Sequence, residues 1–121
     1  MLTPKNQKQV LFYIEKGRKL LLEKLEESLA ADEKPKTLRI WFDMPGTENK
    51  GQMIFYAPSR AGERFAVQVG VVREDTDRLY SNYMILGDVQ EVLAYLRRED
   101  IADSWLEALC QLSDKVDDYW D

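Results

Sequence analysis

Thr37-Leu38-Arg39-Ile40-Trp41-Phe42-Asp43-Met44 is the stretch whose reading decides the fold. Its even positions, Leu38, Ile40, Phe42 and Met44, are all apolar, and its odd positions are Thr37, Arg39, Trp41 and Asp43. Successive strand side chains point to opposite faces, so this alternation describes a strand with one dry face and one wet face. The same period continues outward along the chain. In a second strand, about Gln52 to Ala57, Met53, Phe55 and Ala57 oppose Ile54 and Tyr56. In a third, Arg64 to Val72, Phe65, Val67, Val69 and Val71 oppose Arg64, Ala66, Gln68 and Gly70. Leu79 to Leu86 is a fourth strand with weaker alternation. The connections at 45–51, 58–62 and 74–77 are rich in Pro, Gly or charged residues and read as turns, so the strands form an antiparallel meander.

Helices flank this sheet on both sides in sequence. Thr3-Pro4 is a helix start, with Thr as N-cap and Pro at the first helical position. That helix runs to about Ala31, because Pro35 follows a polar run. Val10, Ile14, Gly17, Leu21 and Leu25 fall on one face of it at helical spacing, which suits a helix lying on a sheet. Gly17 in the middle of that face predicts a close approach of helix to sheet, since glycine otherwise weakens a helix. Phe12 stands out among the lysines and glutamates of the opposite face, where it packs under a loop, seats a dimer or marks a departure from this helix phase. After Gly87, Asp88 and Glu91 have capping-box spacing. No Pro or Gly occurs from Asp88 to Asp121. One straight helix is nevertheless excluded by phase. The stripe Val89, Val92, Leu93 and Leu96 is rotated by roughly 150° from the stripe Ala102, Trp105, Leu106, Leu109, Leu112, Val116 and Trp120. A break near Arg98–Ile101 is therefore predicted, with Asp100 as the second N-cap. The expected class is α+β in a single domain spanning 1–121: a long N-terminal helix, a four-stranded antiparallel meander and two C-terminal helices. The expected core is Leu21, Leu25, Leu38, Ile40, Phe42, Phe65, Val67, Val69, Leu106 and Leu109.

Composition narrows the function classes. The chain has 121 residues, a net charge of −5, one cysteine and no histidine. Without histidine the commonest general base near neutral pH and the commonest metal ligand are missing. A lone cysteine excludes an internal disulfide and any multi-cysteine zinc site. Cys110 lies between Glu107 and Asp114 at helical spacing, and negative neighbours disfavour a thiolate. No catalytic, cofactor or metal site is expected. No apolar run reaches the ~20 residues of a membrane span, and no signal peptide is recognisable, so a cytoplasmic location is the simplest expectation.

Two surfaces remain as candidates. Residues 88–121 hold three basic and ten acidic residues. Asp103, Glu107, Asp114, Asp117, Asp118 and Asp121 share the outer face of the last helix. A solvated face is the ordinary reading of such a run. The carboxylates crowding the C-terminus nevertheless oppose the helix dipole, which favours cations there, and so point to a basic partner. The other candidate is the second face of the sheet, with Arg39, Trp41, Gln52, Ile54, Tyr56, Arg64, Ala66, Gln68, Tyr80 and Asn82. Aromatics among Arg and amide side chains can grip a peptide or stack bases. The ordinary readings are cross-strand packing or a covering helix.

The element order is also that of many small bacterial adaptors, immunity-type inhibitors and secretion chaperones, a likeness of shape that does not fix function. The expected function is non-catalytic protein binding through the acidic last helix, with a homodimer as a further possibility. The alternative is a single-stranded nucleic-acid or small-ligand binder using the sheet face around Trp41 and Tyr56. The acidic balance disfavours nucleic acid.

Overall fold

A computed structural model describes residues 2–58, 60, 63–73 and 78–120, with the backbone alone at 78–80, 82–86 and 117–120. The predicted turn residues 59, 61–62 and 74–77 lie outside the described set. Helix α1 (Pro4–Ala30) leads into strands β1 (Leu38–Asp43), β2 (Asn49–Tyr56), β3 (Phe65–Arg73) and β4 (Arg78–Leu86), followed by helices α2 (Val89–Arg97) and α3 (Ile101–Trp120). All pairings are antiparallel, and the sheet runs β1-β2-β3-β4 in chain order. The α+β class, the long N-terminal helix and the antiparallel sheet are as expected.

Local chemistry sets the helix ends. The Asn6 N–H donates to Thr3 Oγ1 at 3.2 Å, with Pro4 beginning the helix. At α2 the Glu91 N–H donates to Asp88 Oδ1 at 2.9 Å, while the Gly87 N–H donates to Glu91 Oε2 at 2.7 Å. The break between α2 and α3 falls where the hydrophobic phase shifts, at 98–100. Asp100 does not cap α3 with its side chain as expected. Its carbonyl accepts from the Ser104 N–H, but its carboxylate is held by the Arg98 guanidinium at 2.6 and 3.0 Å. A neighbouring cation outcompetes a backbone N–H for an ionised carboxylate. That hydrogen bond from Arg98 also lowers the Asp100 pKa below the usual aspartate value.

All three helices pack on one face of the sheet and against one another. Val10, Ile14, Leu21 and Leu25 of α1, Val92 and Leu96 of α2, and Trp105, Leu109 and Val116 of α3 join Phe42, Met53, Phe55, Val67, Val69 and Val71 in one core. Of the expected core, Leu38, Ile40, Phe65 and Leu106 are only half-buried at its margin. Gly17 serves close approach, as its position on the stripe implied. The Met53 terminal methyl occupies the space where a Cβ would stand, and Ile40 Cγ2 lies 3.6 Å from that point. Arg18 ties α1 to α2 by donating to the Leu96 carbonyl at 2.7 Å, one of the carbonyls a helix C-terminus leaves without an intrahelical partner.

Two expectations about the sheet are corrected. Strand β2 begins at Asn49, three residues earlier than its alternation suggested. In β4 the register pairs Tyr80 with Val71 and Asn82 with Val69, so these positions belong to the helix-side set and not to the second face. The second-face positions of β4 are those paired with Gln68 and Gly70, namely Tyr83 and Ser81. Apolar residues occupy both parities of β4, so its own pattern could not set the phase. The ladder with β3 sets it.

Candidate functional site

The second sheet face is not the open platform that alternation implied. Ile54 is 0% exposed, Gln52 2% and Gln68 6%, and Ala66 is also buried. No helix lies over them among the described residues, and neither Ile54 nor Ala66 joins the main core. These four residues lie on β2 and β3, the two inner strands of the sheet. Arg39, opposite Ile54 in register, carries its guanidinium carbon 5.9 Å from the centre of the Tyr56 ring. A cation over an aromatic face is attracted by the ring quadrupole. Gln52 Oε1 is buried without a hydrogen-bond partner among the described residues.

Of the second-face candidates with described side chains, Arg39, Trp41 and Arg64 are therefore exposed, Tyr56 is half-buried, and Gln68 is removed from the surface. Tyr80 and Asn82 lie outside the residues with described side chains.

Arg39 and Trp41 lie at one edge of the sheet, in β1, while Arg64 precedes β3. Among the described residues, strand β1 has β2 on one side and no strand on the other. Alternate backbone N–H and C=O groups of such an edge are left for solvent or another chain. Trp41, in the middle of this strand, is 52% exposed. A cavity of about 310 Å³ lies between β1 and α1, lined by Tyr13, Lys16, Gly17, Leu20 and residues 40–43. Leu20, on its wall, is 39% exposed, and Phe12, with its ring centre 6.1 Å from that of Tyr13, is 64% exposed. Phe12, Lys16 and Leu20 are spaced at i, i+4 and i+8, so they form one row along α1. Of the four large apolar side chains exposed among the described residues, Leu20 and Trp41 thus border the β1 edge. Sequence pattern singled out Phe12 and Trp41 separately. It did not bring Leu20 beside Trp41, because that depends on where α1 crosses the sheet.

On α3, Asp103, Glu107 and Asp114 are exposed along the outer face, as expected. Asp117, Asp118 and Asp121 lie outside the residues with described side chains. Cys110 is half-buried beside this face. Burial, with the Asp114 carboxylate adding to it, raises its thiol pKa above the ordinary range. Because the thiolate is the reactive form, alkylation of the folded protein near pH 8 should be slower than that of the denatured chain. A time course with a maleimide or iodoacetamide checks this, and equal rates in both states would contradict it. Among the described residues no group of three or more carboxylate and thiol side chains is placed to hold a metal ion, and no helix is long and apolar enough to cross a membrane.

Compared with known proteins, the chain matches no family model, no curated protein and no solved structure at a significant level.

Proposed function

We propose that the chain is a non-catalytic protein-binding module of the adaptor, inhibitor or chaperone kind, and that it binds through the open edge of β1 and the adjoining flank of α1. The observation that carries this reading is that Leu20 and Trp41 stand together beside an edge of β1 that pairs with no strand among the described residues. Exposed apolar side chains scattered singly need no explanation, but a contiguous group beside free backbone donors and acceptors is what another chain can cover. The acidic outer face of α3 enters as an electrostatic aid to association with a basic partner, acting on rate more than on affinity. A cytoplasmic setting goes with this reading, on the strength of the single thiol at Cys110.

The nucleic-acid or small-ligand alternative draws on Arg39 and Tyr56. It loses Gln52 and Gln68 to burial, and a net charge of −5 works against phosphate contacts.

The test is site-specific photocrosslinking in cells expressing the chain. A photoreactive phenylalanine analogue at position 12 or 41 should give protein adducts that survive nuclease treatment. The same group at position 107 reports on the acidic helix. Absence of protein adducts at both 12 and 41, or adducts that disappear with nuclease, would defeat the reading.

A further inference from the structure

Taking the β1 edge as a protein-binding surface, we infer that its partner is a second copy of this chain, joined by antiparallel pairing of β1 with β1 about a two-fold axis at Trp41. The reasoning begins with the strand itself. Arg39 and Asp43 stand two residues before and two residues after Trp41, on the same face and with opposite charges. An antiparallel pair centred on Trp41 sets Arg39 opposite Asp43 of the second copy, and Asp43 opposite its Arg39. Opposite charges directly across a ladder stabilise it, and the two-fold axis supplies the contact twice. Trp41 then meets Trp41 of the second copy and loses its exposure.

The neighbouring registers are worse. Side chains paired across a ladder must share a face, so the centre moves in single-residue steps that shift each partner by two positions. A centre at Ile40 places Arg39 opposite Trp41 and Asp43 opposite Thr37, so neither gains an opposite charge across the seam. A centre at Phe42 places Trp41 opposite Asp43 and brings Pro45 against Arg39, where it cannot donate to the ladder. Only the Trp41 centre matches both charges.

Two further observations agree. Neither Arg39 nor Asp43 has an ion-pair partner within the described residues of one subunit, although other arginines and acids of the chain do. On the helix side, α1 lies over β1, so the same axis brings two α1 helices together antiparallel. Leu20 stands on the wall of the α1–β1 cavity, four residues after Lys16, on the side of α1 that this axis brings to the seam. Lys16 at the crossing extends its stem along the apolar surface and keeps its ammonium in water. Pairing closes an exposed edge into a continuous sheet through the two copies, one of the ways an edge strand is protected.

A charge-reversal experiment tests this on the full chain by sedimentation equilibrium. The wild type should be a dimer that dissociates on dilution. Arg39→Asp leaves two acids around Trp41, and Asp43→Arg leaves two bases. Each variant alone should dimerise about tenfold more weakly or worse. An equimolar mixture of the two should recover a dimer, because every flank then meets its opposite. Lys50 stands opposite Asp43 within the subunit, so melting curves must show that Asp43→Arg is folded.

An independent readout avoids that substitution. Trp41→Cys in a Cys110→Ser background should form a disulfide-linked dimer under mild oxidation, since Cβ atoms directly opposite in a ladder lie about 4.5–5.5 Å apart. A wild type that stays monomeric throughout, a dimer indifferent to both charge reversals, or a Trp41→Cys chain that does not crosslink would each overturn the inference. A monomer whose position 41 crosslinks to a different protein would end self-pairing while leaving the protein-binding reading intact.

Discussion

Replacing Phe42 by alanine is expected to cost about 3–5 kcal/mol of folding free energy, a large share of what a domain of this size has. Phe42 is among the buried side chains of β1, with its ring centre 6.3 Å from that of Tyr13 on α1. Its removal opens a cavity between the first strand and the first helix. Neither element can close that gap, because Gly17 and Met53 already fix how near they come. Phe65→Ala should cost less, about 1.5–3 kcal/mol. Phe65 is only half-buried and stacks on Phe55 with ring centres 5.7 Å apart. Sequence alternation alone treats the two phenylalanines as equals, so the difference is a test of the packing. Urea denaturation at unchanged slope measures both. Equal losses, or a wild-type midpoint for Phe42→Ala, would show that the ring is not seated in the core as described.

Gly51→Ala should be destabilising by about 1–3 kcal/mol, the usual range for overpacking. The opposite sign is the ordinary expectation, since alanine in an element interior is favoured over glycine by roughly 0.5–1 kcal/mol. The reason for the reversal is the aromatic ring across the ladder. Gly51 pairs with Phe42, and the edge of the Phe42 ring occupies the position a Cβ would take. That ring is buried and bounded by Tyr13, so it cannot swing aside as a flexible side chain would.

The two substitutions are therefore coupled. In a Phe42→Ala background, Gly51→Ala should become neutral or stabilising, because the new methyl enters space the ring has left. A double-mutant cycle should give a coupling above about 1 kcal/mol, whereas independent sites add to within about 0.5. A stabilising Gly51→Ala in the wild type, or a coupling near zero, would sink this account of the pair.

Several elements were legible in the chain because their causes are local. The Thr3-Pro4 start of α1 needs only a hydroxyl and a preset φ. The alternation in 37–44 needs only the pleat of a strand. The division of 88–120 into two helices follows from counting 100° per residue along an unbroken run, and the structure places the break where the phase shifts. Phe12 and Trp41 were visible as misplaced apolar residues on otherwise polar faces.

Other features depend on which strands become neighbours, and no single segment encodes that. Gln52, Ile54, Ala66 and Gln68 alternate as a wet face should, yet they are buried on the two inner strands of the sheet. The phase of β4 was ambiguous in its own sequence and was resolved by backbone pairing with β3. Asp100 had the right type and place for a cap, but Arg98 offered a stronger partner for its carboxylate. Above all, the sequence determined that β1 exists and which of its residues face which way. Only the tertiary structure left its outer edge without a strand among the described residues and carried Leu20 of α1 alongside it, because helix placement is set by the packing of the buried face of α1, through Gly17, against Met53 and Ile40.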